Sequence, residues 1–214
     1  MSNKNISVKI NKWCVLLTTA IDVNNEINFR SILYLEQIEK WINNTNYVIF
    51  IVESTGHSFI FNQIKNKYNN RIFLISLNLN KNGSSSILEA ISIDNAMKII
   101  LDTNIGQNVT HILKVTGRYF LNNIQDILQN IYQDIDIYIQ IHTDHNIKWQ
   151  NTEYYGIKKE LLIPMVENVI KYSYYMEHNF YDFIFINNNF KITNLGPFLN
   201  KIARGGDDLI ITYL

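Results

Sequence analysis

The stretch His111–Asn123, HILKVTGRYFLNN, decides how the chain is read. Apolar and β-branched residues broken by a single lysine mark a buried strand, and Thr116-Gly117 ends it in a turn. Arg118 and Tyr119 then stand side by side where the backbone leaves the sheet. Strands apolar on both faces belong to parallel sheets covered by helices. Such sheets bind ligands beyond the carboxyl ends of their strands, so a cation at a strand exit points to an anion.

The pattern repeats towards the N-terminus. WCVLLTTA (Trp13–Ala20), YVIFIVE (Tyr47–Glu53) and RIFLISLNL (Arg71–Leu79) read as further buried strands, each followed by turn-prone polar residues. FRSILYLEQIEKWI places Ile32, Leu33, Leu35, Ile38, Trp41 and Ile42 at helical spacing. A short helix is expected around FIFNQIKN (Phe59–Asn66), and a longer one over Ser84–Asn104 with a serine cap and Glu89 in its first turns. Phe120–Asp134 gives another helix. Alternating strands and helices predict an α/β domain with a mostly parallel sheet flanked by helices.

Beyond this, DIYIQIH and TEYYGIKK read as strands. KELLIPMVENVIKYS and YYMEHNFYDFIFI read as helices, with Pro164 tolerated if the first helix begins close to it. No linker or repeat divides the chain, and 214 residues with 47% hydrophobic content suit one core. A single domain over 1–214 is expected.

Nineteen basic residues balance nineteen acidic ones, so no global field draws nucleic acid or an anionic membrane. No apolar run approaches the ~18 residues that span a bilayer, and MSNKNISVKINK lacks a signal peptide's apolar core. One cysteine, Cys14, sits in an apolar run and reads as packing. These features read as cytoplasmic.

The strand exits supply hydroxyls and amides (Thr18, Thr19, Ser54, Thr55 and the run Ser84 to Ser86), carboxylates (Asp22, Glu53) and cations (Lys114, Arg118). Such groups suit a nucleoside diphosphate. GxGxxG and GxxxxGK[ST] loops are absent, which weighs against dinucleotide and P-loop enzymes.

The ordered blocks TTAID, VIFIVESTG, SILEAISIDNA and ILKVTGRYFLNN resemble a family of small GT-A-fold glycosyltransferases of bacteria and large DNA viruses, which build surface polysaccharides and viral glycans. The resemblance covers roughly residues 1–130, with weaker echoes in YYGIKKELL and YYMEHNFYDFI. Two departures stand out. Glu53-Ser54-Thr55-Gly56 replaces an ENSG-like block, and NGSSSILE keeps Glu89 but loses most glycines of a GKGxGE-like loop.

The resemblance implies a nucleotide-sugar part over about 1–130 and an acceptor part over about 131–214. It implies hexosyl transfer from a nucleotide sugar, UDP-sugar favoured, to a glycan or glycoprotein acceptor. Thr18, Thr19, Glu53, Ser54, Glu89, Lys114, Thr116, Gly117, Arg118 and Tyr119 would bind the donor. Thr116-Gly117-Arg118 holds the place where typical GT-A enzymes carry a metal-binding Asp-x-Asp. Arg118 would then neutralise the leaving diphosphate, and no metal is required, although a divalent ion (Mn or Mg) stays open.

Each residue has a plainer reading beside this one. Arg118 could pair with a carboxylate such as Glu89, Lys114 could be structural, and Tyr119 could cover the core or stack on a sugar. Asp134-Ile135-Asp136 puts two carboxylates on one strand face but at the start of the strand, and reads as solvated. His142, Asp144 and His145 in HTDHN read as surface or as a metal cluster. Glu177, among aromatics, is the candidate base against an exposed helical residue. Asp207 and Asp208 follow Gly205-Gly206 as a site loop or a turn, and Asp208 joins Glu177 and Arg118 as a catalytic candidate. Inverting and retaining chemistry both stay open. The rival readings are a nucleotidyltransferase and an inactive glycan- or nucleotide-sugar-binding module.

Overall fold

The computed structural model describes residues 12–23, 26–80, 83–129, 134–140, 148–186 and 189–195, and the backbone of 202–203 and 210–211. Strand β1 (Trp13–Thr19) leads to helix α1 (Ile27–Asn44), β2 (Val48–Glu53), a 3-10 turn (Ser58–Phe61) running into α2 (Asn62–Lys67), and β3 (Ile72–Ser76). Helices α3 (Ser85–Leu101) and α4 (Asn104–Asn108) precede β4 (His111–Thr116) and α5 (Ile124–Gln129). Then follow β5 (Ile137–Ile139), β6 (Tyr154–Lys158), α6 (Lys159–Tyr172), α7 (Met176–Phe185), β7 (Ile192–Asn194) and the short strands β8 (Ile202–Ala203) and β9 (Ile210–Ile211).

Seven strands form one sheet in the order β3-β2-β1-β4-β6-β5-β7, while β8 and β9 pair with each other. Every pairing in the large sheet is parallel except those of β6, which runs antiparallel to both β4 and β5. This is the expected α/β class with a mostly parallel sheet. The chain winds outward from β1 to β3 and then returns to lay β4 on the other side of β1. Strand order therefore reverses between β1 and β4, the switch point at whose carboxyl ends open α/β sheets take their ligands.

The alternation of side chains along β1 explains both cores. Trp13, Val15 and Leu17 pack with α1, α2 and α5 on one face, and Cys14 and Leu16 pack with α3, α6 and α7 on the other. Both sets are buried, so β1 reads as an uninterrupted apolar run.

Two local expectations are corrected. The buried stripe of α1 runs through Tyr34, Ile38, Trp41 and Ile42, while Ile32 is exposed, because the 3.6-residue period starting from Trp41 reaches Tyr34 and misses Ile32. Helix α6 begins at Lys159, so Pro164 lies beyond its first turn and has no N–H for the Glu160 carbonyl. Burial of Leu162, Met165, Val166 and Val169 holds the helix together around it.

Candidate functional site at the exits of β1 and β4

The two exits at the switch point are joined directly. The Gly117 N–H donates to the Thr18 carbonyl at 2.8 Å. The approach is so close that a Cβ on Gly117 would lie 2.6 Å from the Thr19 Cγ2 and 3.2 Å from both the Thr18 carbonyl and the Tyr34 ring. Here glycine is required by contact with neighbouring chain.

Helix α3 brings Glu89 to this junction. Its Oε1 accepts from the Thr18 hydroxyl at 2.9 Å and pairs with the Lys114 ammonium at 2.6 Å. Lys114 is fully buried, and its ammonium also donates to the Thr152 carbonyl at 2.7 Å and to the Thr116 hydroxyl at 3.3 Å. Three acceptors match its three hydrogens. As placed, Lys114 clamps β4, α3 and the segment before β6.

Arg118 lies at the rim of the same junction. Its Nη2 reaches the Glu153 Oε1 at 3.4 Å, and its guanidinium stands 5.2 Å from the centroid of the Tyr119 ring. Its Nε is buried and has no hydrogen-bond partner. Burial opposes the charge on Arg118, but Tyr119 and Glu153 outweigh it and the net shift is upward. Tyr119 is itself buried, and its hydroxyl titrates well above the usual tyrosine range because of burial first and the Glu153 carboxylate second. The Tyr119 backbone is pinned from below, since the Trp41 indole donates to its carbonyl at 2.9 Å. Arg118 thus projects from a fixed turn.

Glu153 was not singled out by the sequence. TEYYGIKK reads as a strand without reporting its direction, and only an antiparallel β6 brings its first residues, rather than its last, to the β4 exit. The Thr116 N–H donating to the Glu153 carbonyl at 2.7 Å closes this contact. The plain reading that paired Arg118 with Glu89 is also revised: Glu89 takes Lys114, and Glu153 takes Arg118. Burial raises the Glu153 carboxyl above the usual range, with Tyr119, Arg118 and Lys114 opposing and Glu89 adding to the rise.

The other expected donor-site residues lie around β2. Glu53 is fully buried and accepts from the backbone N–H groups of Ile21, Thr55 and His57 at 3.3, 2.9 and 2.7 Å, and from the Thr55 hydroxyl at 2.5 Å. It shapes the loops after β1 and β2. Ser54 bonds the Thr19 carbonyl through both its N–H and its hydroxyl, and the Thr19 hydroxyl bonds the Val52 carbonyl. Arg30 donates to the Ala20 carbonyl at 3.1 Å, so α1 also braces the β1 exit.

Glu177 is half-buried in the first turn of α7, and its carbonyl accepts from the Gln150 N–H at 3.2 Å. Residues 150–153 therefore run from α7 to the Arg118 junction. Asp134 and Asp136 both pair with Lys158, at 2.9 and 2.6 Å, at the other end of the sheet beside the start of β4. His142, Asp144, His145, Asp207 and Asp208 lie outside the described residues. Among the described residues no group of three His, Cys, Asp or Glu side chains converges to hold a metal. Glu89 and Glu153, the carboxylates at the junction, each face a cation, a poor setting for a divalent ion. No described helix is long and apolar enough to cross a membrane.

No protein-family model matches the sequence, and no curated protein does. Solved structures do. A nucleotide-diphospho-sugar transferase of Desulfovibrio desulfuricans G20, so assigned, superposes with a TM-score of 0.56 at 12% identity over 86% of this chain and 79% of its own. A 4-diphosphocytidyl-2C-methyl-D-erythritol synthase of Anaerococcus prevotii DSM 20548 gives 0.53 at 13% identity over 87% and 89%. A glycosyltransferase involved in glycosylating the major capsid of PBCV-1 gives 0.51 at 8% identity over 85% and 81%. At these identities the likeness is one of fold, and the fold is the GT-A-like one of nucleotide-sugar transferases.

Proposed function

We propose that this chain is a glycosyltransferase that moves a sugar, in the first instance a hexose, from a nucleotide-sugar donor to a glycan or glycoprotein acceptor in the cytoplasm. The observation that carries this reading is Arg118. It sits at the switch-point exit of β4, on a turn fixed by Gly117 and Trp41, with a buried Nε that has no partner. A guanidinium so held matches two oxygens of a diphosphate at once.

In the proposed reaction the bond between the anomeric carbon and the β-phosphate oxygen breaks, and that oxygen keeps the electron pair. Arg118 stabilises the charge that develops there, with Lys114 adding its field. The acceptor hydroxyl forms the new bond and gives up its proton, and Glu177 is the proposed base. Thr18, Glu89, Thr116, Gly117 and Tyr119 line the donor site, and Glu53, Ser54 and Thr19 hold its loops. Arg118 stands where the resemblance puts a metal-binding carboxylate pair, and turnover is proposed to run without a divalent ion for that reason. UDP is the favoured nucleotide.

Nucleotidyl transfer is the second reading. The likeness to a diphosphocytidyl-methylerythritol synthase favours it, because both reactions would place a phosphate chain at the same exits. The deciding test incubates the protein with UDP-, dTDP-, GDP- and CDP-sugars in EDTA and follows nucleoside diphosphate release. In parallel, the four ribonucleoside triphosphates are offered with sugar phosphates and pyrophosphate is followed. Diphosphate release that Arg118→Ala abolishes supports sugar transfer; pyrophosphate release alone moves the assignment to nucleotidyl transfer. Release by Glu177→Gln at the wild-type rate would place the base elsewhere.

A further inference from the structure

The contact between Arg118 and Glu153 is half of what it could be. A guanidinium and a carboxylate usually meet through two parallel hydrogen bonds, yet here one long contact of 3.4 Å joins Nη2 to Oε1. Arg118 Nε and Glu153 Oε2 are both buried without a hydrogen-bond partner. Buried polar atoms rarely stay unsatisfied, and at a switch point they mark a place where another group completes the set. The Glu153 N–H donates to the Asn151 Oδ1 at 2.8 Å, so its backbone is held in position.

We propose that Glu153 is a positioning residue that competes with the donor's diphosphate for Arg118, releasing the guanidinium when the anion binds and taking up one proton from solvent as it does so. The inference rests on the donor-site reading above. The geometry gives the reason. With Glu153 in place the Arg118 charge is neutralised, and with Glu89 on Lys114 the junction of two cations and two carboxylates carries no net charge. A diphosphate entering this junction gains little until one carboxylate is neutralised. The groups facing Glu153 are Arg118, Tyr119 and Lys114 from β4 and its exit, and Glu89 from α3. Withdrawing Arg118 takes one cation from Glu153 and sets the incoming anion beside it next to Glu89, while the Tyr119 hydroxyl and Lys114 stay and offset part of the repulsion; protonation removes the rest.

The sign of the pH dependence follows. The carboxyl already titrates above its ordinary 4.5 in the free protein, and it rises further once Arg118 turns to the diphosphate. Donor affinity therefore falls as pH rises through the window between those two values, by up to about ten-fold per pH unit for one coupled proton. Glu153 also penalises weakly anionic ligands more than diphosphates, which makes it a residue of specificity.

The test is titration calorimetry with the nucleotide sugar that binds wild type best among UDP-glucose, dTDP-glucose, GDP-mannose and CDP-glucose. Their diphosphate diesters do not titrate across this window, so proton uptake reports the protein. Wild type should take up close to one proton per binding event within the window, measured in buffers of different ionisation enthalpy. Glu153→Gln should bind about ten-fold tighter at neutral pH, with a flat pH profile, because the amide cannot titrate. Proton uptake by wild type tests the idea even if that variant folds poorly. If Arg118→Ala loses binding while wild type takes up no proton at any pH and Glu153→Gln is unchanged, the inference is overturned and the donor site stands. If no nucleotide sugar binds wild type or Glu153→Gln, or if Arg118→Ala binds as wild type does, the donor-site reading falls and the inference with it.

Discussion

At the scale of single residues, the site depends on positions that never need to touch a ligand. Gly117 lets the exits of β1 and β4 close on each other, and Gly117→Ala would press a methyl group to 2.6 Å from Thr19. The Thr19 side chain, tied to the Val52 carbonyl, or the turn itself must yield, at a cost of about 1–3 kcal/mol. We expect a melting point lower by several degrees and weakened nucleotide-sugar binding; a variant that binds and melts like wild type would show that the exits do not meet this way. Glu53 is a second such position. Glu53→Ala leaves three backbone N–H groups and the Thr55 hydroxyl without their acceptor in a half-buried loop, and about 3 kcal/mol of stability is expected to go with them. Glu53→Gln keeps one acceptor oxygen and should recover part of that loss. If Glu53→Ala unfolds at the wild-type urea midpoint, the loop is held by something else.

Elements fix what residues alone do not. Arg118 was legible in the sequence because a parallel strand places its last residue at the ligand end of the sheet, and KVTGRY declares such an end. Glu153 was not, because β6 runs antiparallel and nothing in TEYYGIKK reports strand direction. In the same way, apolar spacing located α1 but mistook Ile32 for Tyr34, since a tyrosine looks polar in a pattern and only packing against Gly117 reveals its buried side. The Asp-x-Asp pair lies at the entry of β5 as read, with Asp134 half-exposed, and both carboxylates pair with Lys158 there. Asp136 is held below the usual carboxylate range, because the Lys158 ammonium and the Lys191 N–H outweigh the opposing effect of burial. A lowered carboxylate stabilises the fold at pH values above its unfolded pKa, and that contribution is lost as pH falls through the folded one. Asp136→Asn should therefore lower stability at pH 7 by about 1 kcal/mol, and the gap to wild type should close in acid, below the usual aspartate range. Denaturation with urea at neutral and acid pH measures this; a gap that widens in acid contradicts it.

At the scale of the whole molecule, fold and function part company. Apolar runs and helical spacings suffice for a mostly parallel sheet flanked by helices, and β1 to β4 fall on the four runs read as buried strands, while their order in the sheet is set by packing that the runs do not report. The same fold supports sugar transfer and nucleotidyl transfer, and neither composition nor the sheet distinguishes them. What either reaction would draw on is the inventory at the exits of β1 and β4, where Arg118 and Lys114 stand beside Glu153 and Glu89. That inventory is assembled from β1, β4, α3 and the segment before β6, four pieces far apart in the chain, which is why sequence spacing conveyed only part of it.

The measurement that bears most directly on these exits is binding of nucleotide sugars to wild type and to Arg118→Ala, each in EDTA and again with manganese. A ligand that binds the native state raises the melting point by mass action, so a thermal-shift panel reads it and calorimetry gives its affinity. Wild type should bind one nucleotide sugar equally well in EDTA and in manganese, and Arg118→Ala should bind it at least about ten-fold more weakly, as loss of a charge-assisted pair requires. Equal binding by Arg118→Ala and wild type, or binding that appears only with manganese, would place the donor's diphosphate in other hands.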